Sequence, residues 1–180
     1  HSDSMFGFLS LLRFSTMVIR SGPSVFDCFQ HKLIHRDDSD LAVLFGAIIP
    51  AKLKQQALAK RIQNGNALTV LEVLRFVSAA LDRFYALISE GIQKFAWSTD
   101  VVGHLSNSFS QWLPDLQILL TLRSRFDPFT SETGHLVGGA LVSVLERYCL
   151  VLPAEIQTAK FDWVKILPDA KSFSDSSQWI

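Results

Sequence analysis

"ALTVLEVLRFVSAALDRFYALISEGIQK", residues 67–94, is the stretch that decides the fold class. Leu68, Leu71, Val73, Leu74, Val77, Leu81, Phe84, Leu87 and Ile88 return every three or four positions, which lays a broad apolar face along one α-helix. Glu72, Asp82 and Glu90 fall among its polar positions. "LTVLEVL" carries β-branched residues, but it sits inside a pattern far longer than a strand, and length decides for helix. A helix with so wide an apolar face needs other helices to cover it.

Working outward, the same period recurs between breakers. Asn64-Gly65-Asn66 ends one element and caps the next. Upstream, "FGFLSLLRFSTMVI" (Phe6 to Ile19) reads as a helix stopped by Ser21-Gly22-Pro23, and Pro23 opens "PSVFDCFQHKLI" at a first-turn position. His35 to Asp40 reads as a polar loop, and "LAVLFGAII" runs from there to Pro50. That proline either kinks the helix or opens the next one, "PAKLKQQALAKRIQ". Downstream, Ser98-Thr99-Asp100 offers an N-cap for a helix to about Trp112. Pro114 and Asp115 start an element that ends near Arg125, with Leu116, Leu119, Leu120 and Leu122 toward the core. "SETG" reads as a turn, "HLVGGALVSVLERYCLVL" as a helix stopped at Pro153, and "PAEIQTAK" as one more short helix.

No stretch reads convincingly as a strand. The expected fold is all-α: breakers every ~20 to 30 residues cut the chain into antiparallel helix pairs, stacked in a HEAT/armadillo-like superhelix because a lone pair cannot cover its apolar faces. No strict repeat of a named type is visible. "HSDSM" (residues 1–5) resembles an expression scar, residues 6–167 form one helical-repeat domain cut from a larger array, and residues 168–180 are a loosely held tail rich in Ser and Asp.

Composition narrows the function. Hydrophobic residues make up 48% and charged ones 19%, with mean hydropathy +0.24, which is rich in apolar surface for a chain free of membrane. No apolar run reaches the ~18 to 20 residues of a membrane span without a charge or breaker. Lys plus Arg (17) balances Asp plus Glu (17), and a domain gripping nucleic acid by counterion release should be basic. The most basic run, Lys52, Lys54, Lys60 and Arg61, suits a solvated helix face, with weak phosphate contact as the sharper reading.

Candidate chemistry is thin. His31 and His35 share an i, i+4 spacing, yet no motif supplies a third ligand, and His104 and His135 stand alone. Cys28 and Cys149 lie far apart and read as reduced, buried thiols. Gly138-Gly139 lacks the strand and lysine of a phosphate loop and reads as a site of close helix approach. The four tryptophans show no base-stacking platform. No catalytic residue, cofactor or metal is expected.

The second half resembles a known family. "KFAWSTDVVGHLSNSFSQWLPDLQILLTL" and, after a linker, "LVSVLERYCLVLPAEIQTAKFDWVKIL" are similar to the N-terminal helical-repeat region of the nucleolar pre-ribosomal-associated protein family. The points of likeness are Leu113-Pro114-Asp115-Leu116, the Tyr148 to Pro153 helix end, and Phe161 to Leu167, within a span of Leu41 to Leu167. "SRFDPFTSETG" is short where relatives can carry a long polar insertion. The resemblance implies a non-enzymatic scaffold of early 60S subunit assembly, resident in the nucleolus, binding other assembly factors and pre-ribosomal RNA. It transfers no site residue, because the matching motifs are structural. A helical adaptor of another pathway, or a small helical enzyme or ligand binder, are the competing readings. Phe161, Asp162 and Trp163 place two rings around a carboxylate; they close a helix layer or, as the sharper reading, meet a partner.

Overall fold

Short polar side chains start the helices, as the sequence pattern requires. In a computed structural model describing residues 2–24, 38–126 and 131–159, α1 spans Ser2–Ser21, α2 Asp38–Ile48, α3 Gln55–Asn64 and α4 Ala67–Phe95. They are followed by α5 (Thr99–Ser110), α6 (Leu116–Arg125), α7 (Glu132–Val151) and α8 (Pro153–Thr158), with a 3-10 turn at Ala51–Leu53. Asn66 accepts from Thr69 N–H at 2.9 Å, Asp115 from Gln117 N–H at 2.8 Å and Ser131 from Gly134 N–H at 3.0 Å, so each satisfies an otherwise orphaned donor of α4, α6 or α7. Among the described residues there is no strand, and the fold class is all-α.

Several local expectations are corrected. Asp38–Asp40 is the first turn of α2 and not a loop. Pro50 neither kinks nor opens an α-helix: it precedes the 3-10 turn, and the chain is extended at Lys54 before α3 begins. "SETG" is the N-cap and first turn of α7. On α4, Leu68 is exposed, and Glu72 is buried although its charge suggested a solvated position. Its Oε1 accepts from both Arg13 on α1 and Arg75 on α4, at 3.2 Å each.

Helix α4 is the centre. Of Val73 to Leu81 only Arg75 is exposed, because α1 and α7 both pack against it. The polar links between these helices show their direction. Arg13 meets Glu72, Arg83 donates to Gly22 O at 3.1 Å and Ser24 Oγ to Glu90 at 2.8 Å, so residue numbers rise together and α1 runs parallel to α4. Arg147 donates to Asp82 at 2.6 Å, and Leu150 to Leu152 lie across a groove from Ile88 to Ile92, so α7 also runs parallel to α4.

The short helices fill the other layer, with α5 on α2 and α6 on α3. Arg125 at the end of α6 donates to Ile62 O and Gln63 O at 2.5 and 2.7 Å, and to Gly65 O, placing a cation on the carbonyl end of α3. Phe45 (α2), Phe84 (α4), Phe109 (α5) and Trp112 form the aromatic centre. Phe84 and Phe109 stack at 4.0 Å, and Phe45 lies 5.3 Å from Phe109.

The buried positions recur, although no repeat of a named type is present in the sequence. Buried Phe45, Ile49, Leu58, Val73, Val77, Leu81, Phe84 and Ile88 each have a buried counterpart 64 residues on: Phe109, Leu113, Leu122, Val137, Leu141, Leu145, Tyr148 and Leu152. Pro50 and Pro114 stand at the same interval. The order α2, α3, α4 is repeated by α5, α6, α7. Three helices, two short and one long, therefore make each recurrence, where breaker spacing alone suggested pairs.

Candidate interaction surface

Two outward faces carry apolar side chains that the fold leaves uncovered. On α1, Leu9, Leu12, Ser15 and Ile19 are buried, and the opposite arc presents Phe6 (64% exposed), Phe14 (61%), Met17 and Val18. On α7, Val137, Leu141, Val144, Leu145, Tyr148 and Val151 point inward, while Leu136 (61%), Val142 and Leu150 (64%) point out. Isolated exposed apolar residues are ordinary; arcs of them on both helices flanking α4 are a feature of surfaces that meet something else.

A groove of about 540 Å³ adjoins the α7 face. The C-terminal half of α4, one side of α5 and the α7–α8 junction wall it, with Ile92, Val102 and Leu150 among its apolar lining. Among the described residues its only lining carboxylate is Glu155, and no histidine or cysteine reaches it. At its corner Trp97 lies on Gly91, where a Cβ would overlap the indole. Ala96 takes the left-handed conformation (φ 49°) that turns the chain there.

The residues singled out from sequence scatter. Lys52 and Lys60 are exposed, Lys54 Nζ lies 4.1 Å over the Trp112 ring, and the Arg61 guanidinium lies 4.6 Å over Phe8. Two of the four cations are thus engaged with aromatic faces on different elements. Phe161, Asp162, Trp163, His31, His35 and Cys28 lie outside the described residues. His104 and His135 are exposed on α5 and α7. The buried-thiol expectation for Cys149 is corrected: it is exposed, because the inward arc of α7 passes through Tyr148 and Val151 instead. Partial desolvation still pushes its thiol up. The close-approach expectation for the glycine pair is also corrected at Gly139, which faces open space; a close approach is found instead at Gly91, against Trp97. Among the described residues no three His, Cys, Asp or Glu side chains converge.

One buried contact was not foreseen. Tyr148 Oη donates to Pro114 O at 2.8 Å, tying the end of α7 to the turn that opens α6. Burial pushes the phenol far up, and the Glu155 and Asp115 carboxylates add to the effect. A tyrosine on an apolar helix face is the available signal, since its hydroxyl needs a partner when buried. Helix α7 is by length and composition apolar enough to cross a membrane; here its inward arc packs on α4 and α6.

No family model, no curated protein and no solved structure matches this chain.

Proposed function

We propose that this chain forms successive units of a HEAT/armadillo-like solenoid and acts as a non-catalytic scaffold segment in early assembly of the 60S ribosomal subunit, in the nucleolus. The observation that carries the scaffold reading is the pair of apolar arcs on α1 and α7, on either side of the central helix. The recurrence of three helices at 64 residues supports the solenoid, in which each unit covers its neighbour and leaves long faces for partners. The ribosomal assignment rests on the family resemblance alone, whose Leu113–Leu116 and Tyr148–Pro153 motifs meet through the Tyr148–Pro114 hydrogen bond. Other pre-60S assembly factors are the expected partners, with pre-ribosomal RNA reached through a larger assembly. Zero net charge argues against tight RNA binding by this segment itself.

The test is expression of the tagged chain in cells, scored for nucleolar enrichment and for co-purification of large-subunit assembly factors. Phe14→Glu on α1 and Leu136→Glu on α7 should each reduce that co-purification without unfolding the chain. Even distribution through the cell, with no enrichment of such factors, overturns the ribosomal assignment.

A further inference from the structure

Helix α1 shares in the recurrence. Its buried Leu9, Leu12 and Ile19 are answered 65 residues on by buried Leu74, Val77 and Phe84 of α4. The long helices α1, α4 and α7 are therefore three successive parallel layers, and α4 has a long helix on each side. Val18 on α1 answers Arg83, which meets the long helix before it, and Phe14 shares that side; both are exposed. Glu146 on α7 answers Asp82, which meets the long helix after it, and Val142 shares that side; both are exposed. We infer that a second copy of this chain covers these sides, stacked head to tail, with α7 of one copy lying on α1 of the next as α4 lies on α7 within one copy.

Charge selects that occupant. The first end of the stack is basic: Phe6 to Ser21 and Ala51 to Asn64 hold Arg13, Arg20, Lys52, Lys54, Lys60 and Arg61 and no acid. The last end is acidic on three of its helices: α5, α7 and α8 hold Asp100, Glu132, Glu146 and Glu155 against Arg147, which already donates to Asp82 at 2.6 Å. Like ends would set like charges together, whereas unlike ends attract. The other layer supplies a second mark. Arg125, one of two arginines on α6, holds the carbonyl end of α3, and Arg61 is its counterpart 64 residues earlier. Arg61 is partly buried at the first end, over the Phe8 ring, so the carbonyl end of α6 in a preceding copy is its expected partner. Such a contact joins two different surfaces, so copies add one at a time instead of stopping at a symmetric pair.

The inference rests on the solenoid reading and not on its ribosomal assignment, which cell localisation tests separately. The experiment is sedimentation velocity of the full chain from about 1 to about 100 µM. The wild type should rise with concentration past twice the 20.2 kDa of one chain, and should associate several-fold more weakly as salt is raised from about 0.05 to about 0.5 M. Val18→Glu and Val142→Glu change exposed side chains, so each should fold, as circular dichroism will show, and each alone should stay monomeric. Mixed in equal amounts they should form a dimer and stop there, because each keeps one intact end. Self-association of Val142→Glu would mean α1 on α1, and self-association of Val18→Glu would mean α7 on α7; either overturns the head-to-tail contact. A wild type that stays monomeric or ignores salt, or a mixture that yields no dimer, overturns it as well. If a valine variant fails to fold, Arg61→Glu and Glu146→Lys serve as the same complementary pair.

Discussion

Removing one oxygen from Tyr148 is a sharp test of how the two halves of the second unit are joined. Tyr148→Phe keeps the ring in its buried site but deletes the donor to Pro114 O, leaving that carbonyl unpaired at the α6 start. An unsatisfied buried acceptor costs about 1 to 3 kcal/mol, so the variant should unfold at lower urea concentration by that amount at neutral pH. Alkali should reverse the order. The folded state holds the phenol proton far above its ordinary value of 10.0, while the unfolded chain releases it near that value. The group's contribution is therefore complete below pH 10 and lost as pH rises beyond it, at about 1.4 kcal/mol per pH unit. The wild type should fall toward the variant and meet it roughly one to two units above pH 10. Urea denaturation followed by circular dichroism from pH 7 to 11.5 measures both effects. Parallel pH profiles, or a neutral-pH loss under about 0.5 kcal/mol, would refute the reasoning.

Phe109→Ala removes a fully buried ring stacked on Phe84, and should cost about 3 to 5 kcal/mol by thermal or urea denaturation. Ala96→Gly relieves a left-handed residue at the end of α4 and should raise stability by about 0.5 to 1 kcal/mol, read as a higher urea midpoint. Arg13→Ala should cost only about 1 kcal/mol, because Arg75 still bonds Glu72 and the arginines are over half exposed; a loss above about 3 kcal/mol would show that Glu72 depends on α1. Cys149 should react with a thiol reagent in the native chain, more quickly as pH is raised, and protection from it would contradict its exposure.

The sequence by itself determined the helices and most of their ends. Asn66, Ser98 and Asp115 cap where their side chains reach a backbone N–H two or three residues away, an interaction that needs no distant partner. The apolar stripe of α4 and the core leucines of α6 were legible for the same reason. Tertiary structure alone decided the rest. Leu68 and Glu72 sit only four residues apart on α4, yet the leucine is exposed and the glutamate buried, because α1 supplies Arg13 from 59 residues away. Cys149 is exposed because, among the described residues, α7 packs along one arc, whereas α4 packs on two. The recurrence stayed hidden because its identical pairs, such as Phe45 and Phe109 or Val73 and Val137, are sparse, and elsewhere only burial is kept: Phe84 is answered by Tyr148, and Ile88 by Leu152. A packed core selects size and apolarity at each position, and which positions share a core is settled only when distant helices meet.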